Sequence, residues 1–548
     1  MRGEFVASAR EGGLALRAKT PLTANDINLK QAGKPMLEHI DMLVNASADY
    51  TPQGWQMQIV ELTARSKDRT LISVNAKAGK LSGEKESIKA TGSWTADLPG
   101  WSSQPITEAG LQLSAGDARG EFSASLDGTK ALESSVTLSK LVGKGGEVVP
   151  DVTAEVRADV TADQRTTFNA TLLFDQAGSK SDLLIAGTLT PQDKVVLVDA
   201  RISSERVVLE DVKLLAVIFP GGATEETTPD SRDEEPFWSG YRGQAALALK
   251  KVVYGGSYEV SDVVGVLRIE PEGLKLDGVH AVFGPESDLK LSGAVTFDPK
   301  ATEAYEFAGD MTLNNFDTTQ AFRAIDPAKL PTVETRVNLT GKISGSGENL
   351  ATLSERARGR FDLTSKGGIF RALTTVLPEG KLQATQTALS VVGGLFGGGS
   401  SGGEMIATAN EIVSLVSEIQ FDQLSVTAER DENLNLVLKD FNLIAPYIRL
   451  GGEGLIQYTP GQSLLQQALD LRITLGARGR LGELLSQWKL LKAEKDNLGY
   501  TAFVAPIKIG GTVGNTDARD FQAKLLNVAL EKTGVGDALN RLLGGGKQ

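Results

Sequence analysis

The chain has 548 residues, 41% of them hydrophobic and 23% charged, and a formal net charge of −12. That apolar content excludes a disordered chain, and the acidic balance argues against nucleic acid and against a polybasic grip on anionic lipid. Cysteine is absent and histidine occurs twice, which excludes disulfides and thiolate metal sites and leaves little imidazole for catalysis.

No run of about 18 apolar residues occurs, so no segment reads as a membrane-spanning helix. The first residues, from Met1 to Ala9, lack the apolar stretch of a signal peptide and read as a start inside a strand. The expectation is a fragment, or a shortened reading frame, of a longer anchored protein.

Residues 1–219 form a first region dominated by period-two alternation. Trp55, Met57 and Ile59 alternate with Gln56 and Gln58, and Phe168, Ala170 and Leu172 alternate with Asn169 and Thr171. Such spacing gives each strand one apolar and one polar face. Gly, Asp, Asn and Pro punctuate the strands as in consecutive hairpins. Residues 220–236, with Pro220, Pro229 and Pro236 framing six carboxylates, read as a solvated acidic linker and not as a cation cage.

Residues 237–516 return to strands and then mix them with helices. Residues 382–392 and 404–418 suit helices on either side of a Gly/Ser linker at 397–403. Strands are expected at Phe421–Ala428, Leu434–Ile444, Ile448–Tyr458 and Leu469–Leu475. A helix is expected over Gly482–Lys495 and a final strand at Ala505–Gly511. Residues 517–548 read as amphipathic helices, with Phe521, Leu525 and Val528 along one side.

Catalytic constellations are missing where they would be sought. His39 and His280 lie in no metal-like spacing. Gly398-Gly399-Ser400-Ser401-Gly402 matches a nucleophile elbow in letters only, since glycines replace the strand and helix that the elbow requires. The chain therefore reads as non-enzymatic, with no cofactor and no metal.

The most distinctive segment is Leu339-Thr340-Gly341-Lys342-Ile343-Ser344-Gly345-Ser346-Gly347-Glu348-Asn349-Leu350, leading to Gly359-Arg360-Phe361-Asp362-Leu363. It reads as strand, Gly/Ser turn, short helix, strand, with the glycines as turn and packing positions. Together with Pro506-Ile507-Lys508-Ile509-Gly510-Gly511-Thr512, it resembles the C-terminal region of AsmA-like proteins over about residues 240–516. The resemblance implies a periplasmic protein of a bacterial envelope, anchored in the inner membrane. It is similar in this to TamB-type bridge-like lipid-transfer proteins, whose partners are phospholipid acyl chains and the inner and outer membranes. The chain departs from that family in lacking the N-terminal membrane helix.

The expected fold is mostly β: an elongated, curved antiparallel sheet, open or groove-like, with several short helices in the C-terminal third. Roughly 25–30 strands at about 4.8 Å each would extend on the order of 120–140 Å. The residues expected to face acyl chains are Leu274, Leu276, Leu289, Leu291, Val426, Leu434, Leu436, Leu438, Leu469, Leu471, Ile473 and Leu475. The same alternation also suits two sealed β layers, and with them a structural or adhesive spacer.

Overall fold

A computed structural model of the chain describes residues 4–524 apart from 11, 19–20, 32–33, 52–53, 82–86, 106–112, 128, 144–145, 147, 177–178, 212–234, 237, 255–257, 326–329, 374–407, 409–410, 413, 461 and 522–523. Nearly all of the acidic linker, the helix expected at 382–392, the Gly/Ser stretch and nearly all of the C-terminal helices lie outside the described residues. Contacts divide the chain into two compact units, meeting in sequence at Ala281 and Val282.

The first unit opens with β1 (Phe5–Arg10), β2 (Gly13–Ala18), β3 (Leu22–Gln31), β4 (Lys34–Thr51), β5 (Gly54–Ser66), β6 (Arg69–Leu81) and β7 (Ser87–Asp97). After the single-turn helix α1 (Leu98–Trp101) come β8 (Leu113–Asp127), β9 (Thr129–Gly143), β10 (Asp151–Val160), β11 (Thr166–Gln176), β12 (Ser179–Gln192), β13 (Val195–Ser204) and β14 (Val207–Val208). Then follow β15 (Tyr241–Tyr254), β16 (Tyr258–Glu270) and β17 (Gly273–Val282). From β4 to β13 each strand pairs antiparallel with the next, as alternation broken by short turns dictates.

One pairing departs from the antiparallel expectation. β13 and β14 both pair parallel with β15. The connection from Val208 to Tyr241 is long enough to bring the chain back to its starting end, and only such a crossover permits parallel neighbours. Gly243 makes this seam possible. Its φ is +140°, and a Cβ there would lie 1.8 Å from the Val198 carbonyl oxygen. Gly243→Ala is therefore expected to cost about 1–3 kcal/mol from backbone strain, before the clash is counted. A thermal melt checks this: an unchanged midpoint would show that the strands do not approach so closely.

The second unit contains β18 (Asp288–Phe297), β19 (Tyr305–Asp317), α2 (Thr318–Ile325), β20 (Val333–Gly347), α3 (Leu350–Glu355) and β21 (Arg358–Phe370). Beyond these lie β22 (Ile419–Phe421), β23 (Gln423–Arg430), β24 (Leu436–Ile444), β25 (Ile448–Gln457), β26 (Ala468–Ala477), α4 (Gly479–Gln487), β27 (Leu491–Lys495), β28 (Thr501–Phe503), β29 (Ile507–Thr512) and β30 (Asn515–Asp517). The protein is mostly β, its sheet open and mixed, with few and short helices.

Several expected boundaries change: the strand expected at Phe421–Ala428 is broken at Asp422 between β22 and β23, and the final strand expected at Ala505–Gly511 starts at Ile507 and is followed by β30. The helix expected over Gly482–Lys495 is α4 only as far as Gln487; Lys489 has a positive φ of 55° and Leu491–Lys495 is a strand. The strand expected from Leu434 starts at Leu436. Leu434 has a φ of 63° and donates its N–H to the Asp431 carbonyl, so it sits in the preceding turn.

The distinctive glycine-rich segment folds as strand, short helix, strand, but the Gly/Ser residues expected in the turn, Ser344 to Gly347, belong to β20, and the turn is Glu348-Asn349. β20 ends at Gly347, and α3 is capped by Asn349, whose side chain accepts the Thr352 N–H while Thr352 Oγ1 accepts the Asn349 N–H. A Cβ on Gly347 would lie 2.4 Å from the Leu353 nitrogen, so glycine is what lets α3 lie against its own strand. The Ser346 hydroxyl, and after it the Arg356 guanidinium at 2.6 Å, holds the Glu303 carboxyl below its usual range. These contacts fasten the segment to the residues just before β19.

Candidate functional site

Paired residues of neighbouring strands share a face, so the register assigns the paired side chains of β4–β13 to one side or the other. One row runs Met42, Ala64, Ile72, Ala96, Ala118, Leu138, Val152, Phe174. A parallel row nearer the opposite strand ends runs Ala48, Met57, Ala78, Ala90, Ala124, Leu132, Ala158, Phe168. On the other face the residues Ser47, Gln58, Lys77, Thr91, Ser123, Glu133, Arg157 and Asn169 stand in one line. One face is thus apolar and the other polar across β4–β13. Nine strand spacings make that about 43 Å, against about 30 Å for a bilayer's hydrocarbon.

Among the described residues, the apolar face is covered along one margin only. Leu98 of α1, with Leu113, Leu141 and Val149, packs over the row that ends in Val152 and Phe174. Trp101 joins Leu71 and Ile40 in a second small cluster, its Nε1 donating to the Leu71 carbonyl at 2.8 Å. Farther along the strands the same face is open. Met57 is 40% exposed, and Leu126 and Leu132 are each 45% exposed. Exposed apolar surface of this extent marks a binding surface more often than a free one.

In the second unit the register again collects one apolar face. Leu291, Met311, Gly341, Phe361, Ala428, Leu438, Gly454, Leu471 and Ile509 form one row, and Leu289, Leu313, Leu339, Leu363, Val426, Phe441, Gly452, Ile473 and Ile507 the next. The opposite face carries Lys290, Thr312, Thr340, Asp362 and Thr427. There Arg360 pairs with Asp362 at 3.2 Å and with Glu429 at 3.7 Å.

Burial changes along that apolar face. On β18–β21, Leu289, Leu291, Leu339 and Leu363 are half-buried. From β23 onward most of the face is covered: Leu438, Leu471, Ile473 and Leu475 are buried together with Leu481, Leu484 and Leu485 of α4, Ile412 and Val416 of the helical residues 411–412 and 414–417, and Phe503 and Phe521. The Arg480 guanidinium holds Glu411 through two bonds, 2.7 and 2.8 Å, and so ties those helical residues to α4.

The residues expected to face acyl chains therefore divide. Leu289, Leu291, Val426, Leu436, Leu438, Leu469, Leu471, Ile473 and Leu475 all share the second unit's apolar face; Leu436 enters it through its pairing with Ile456 and Leu469. Of these, Leu438, Leu471, Ile473 and Leu475 lie in the sealed core. Leu274 and Leu276 are half-buried on β17, and Leu434 is in a turn. Alternation had marked the open face of β4–β13, but no residue there was singled out. The signal was present in Met57, Leu132 and Phe168, yet only the register shows that they line up.

Other features carry less chemistry. His39 Nδ1 lies 2.7 Å from Asp26 Oδ1, with both side chains exposed. That contact, then the Asn28 amide, holds the Asp26 carboxyl below its usual value. His280 is half-buried on β17. Among the described residues no group of three or more His, Asp or Glu is placed to hold a metal ion. Two concavities, of about 540 and 1090 Å³, are lined chiefly by polar-face residues such as Asn338, Arg336, Thr296 and Ser344. No helix among the described residues is long and apolar enough to cross a membrane. No protein-family model matches the chain, and comparison with curated proteins finds no match.

Proposed function

We propose that this is a non-enzymatic protein of a bacterial envelope that carries phospholipid acyl chains along the open apolar face of its sheet, between inner and outer membranes. The observation that supports the reading most is the largely apolar face of β4–β13, left open where Met57 and Leu132 stand. Each methylene laid on such a face gains about 0.8 kcal/mol. The resemblance of Leu339–Leu363 and Pro506–Thr512 to AsmA-like proteins supports the same reading and supplies the periplasmic setting. A second reading, a structural or adhesive spacer, is favoured by the core of β23–β29, where Leu438, Leu471, Ile473 and Leu475 are buried.

Native mass spectrometry with lipid extraction tests the two. The purified chain is expected to retain phospholipid, and delipidated protein to take up a fluorescent lipid. Neither retention nor uptake would leave the spacer as the better account.

A further inference from the structure

Resting on the acyl-chain reading above, we propose that Trp94 and Phe122, each lying over a glycine of the other's strand, form the floor on which hydrocarbon crosses the first unit's apolar face, and that Gly92 and Gly120 set the clearance above it. Trp94 pairs with Gly120 across β7 and β8, and Gly92 pairs with Phe122. A Cβ on Gly120 would lie 2.6 Å from the Trp94 ring, and one on Gly92 would lie 2.5 Å from the Phe122 ring. Each ring therefore rests on the backbone of the neighbouring strand, and both are half-buried. Phe168 lies in the same way over Gly187, where a Cβ would come within 3.0 Å of its ring.

Glycine inside a strand forfeits side-chain packing and marks a place where another group approaches the backbone closely. Here that group is a ring, and a ring laid on the backbone raises the surface by only about 3.5–4.0 Å, one layer of carbon contact. The surroundings agree in size and polarity. Ala76 pairs with Gly92, and Ala90 with Ala124, beside the two rings. The Ser134 hydroxyl, next to Phe122 on β9, donates to the Glu121 carbonyl at 3.2 Å. Among the described residues, the rows from that of Met42 to that of Ala48 carry no charge between β4 and β11. Such a floor would leave the hydrogen-bonding groups of a peptide or a sugar unpaired, and hydrocarbon is the occupant it fits. The same device recurs where the second unit's apolar face is half-buried. A Cβ on Gly341 or Gly359 would lie 2.8 or 3.0 Å from the Phe361 ring, and one on Gly309 would lie 3.1 Å from the Phe307 ring. On the covered strands the glycines of that face meet other groups: Gly454 faces the Leu471 side chain, and Gly452 the Arg472 carbonyl. Rings laid over glycine thus accompany open surface and not packed core.

Gly92→Ala pushes the Phe122 ring off its seat and up into the space that hydrocarbon would fill. Uptake of a fluorescent phosphatidylcholine is expected to fall at least about tenfold, the equivalent of lost contact with about two methylenes. The added Cβ also comes 2.7 Å from the Asn75 carbonyl oxygen, so a distorted strand has to be told apart from a raised ring. The Gly92→Ala/Phe122→Ala variant keeps the distortion and removes the ring. Its uptake is expected to return to within about twofold of the unmodified chain, because apolar contact is non-directional and hydrocarbon settles into the space left. Circular dichroism establishes that the variants are folded. Undiminished uptake by folded Gly92→Ala, or no recovery in the folded double variant, would overturn the assignment. Phosphatidylcholine with brominated acyl chains reads the contact directly: its quenching of tryptophan fluorescence is expected to fall in Trp94→Phe. Equal quenching in Trp94→Phe and the unmodified chain would place the hydrocarbon elsewhere and overturn the floor. If the unmodified chain takes up no lipid at all, the acyl-chain reading itself fails.

Discussion

Ile473→Ala is expected to destabilise the second unit by about 2–5 kcal/mol, the range for deleting a fully buried aliphatic side chain. Ile473 is 0% exposed, and its strand partners Gly452 and Ile507 leave no room for collapse into the gap, since Ile507 is itself 0% exposed. Leu291→Ala is expected to cost distinctly less. Leu291 belongs to the adjacent row of the same face but is half-buried on β18, where among the described residues nothing comparable to α4 lies over it. Denaturant unfolding of the two variants measures the difference. Equal losses would mean that the face is sealed throughout its length, and the distinction between an open and a covered part of the second unit would disappear.

That distinction lies at the limit of what the amino-acid pattern reveals. Alternation fixes which side of its strand a residue occupies, and for this reason Leu289, Val426, Leu471 and Ile473 came out on one face. It does not reveal what covers the face. Covering depends on Ile412, Val416 and Leu484, whose helical spacing was visible but whose docking partner was not. Leu434 was misplaced because its apolar character continues the strand pattern, whereas its positive φ after Asp431-Glu432-Asn433 belongs to the turn. The same mechanism shortened α4: Leu490 and Leu491 suit a helix by spacing, but Lys489 reverses the backbone. The parallel seam at Gly243 was hidden for another reason, since pairing between strands some 45 residues apart leaves no local periodicity. The open face of β4–β13 was legible strand by strand and became a surface only when the bulges, such as the one between Ile59 and Leu62, were counted into the register.

The substitution with the largest expected effect on lipid uptake is Leu132→Glu. Leu132 is 45% exposed, so the fold loses little: it forfeits part of one side chain's burial and gains a carboxylate that reaches water in the empty protein. With hydrocarbon on the face, that carboxylate is desolvated among Ala124 and Ala158, its partners across β8 and β10. An unpaired buried charge costs several kcal/mol, so uptake of both anionic and uncharged tracers is expected to fall by at least about tenfold, 1.4 kcal/mol being a factor of ten. Asn169→Glu is the matched control. It adds the same charge on the polar face, beside Arg157, and is expected to leave uptake within about twofold, because a surface ion pair is worth about 0–1 kcal/mol. Circular dichroism and a melt establish that both variants are folded. If Leu132→Glu is folded and takes up lipid as well as Asn169→Glu does, hydrocarbon does not lie on this face.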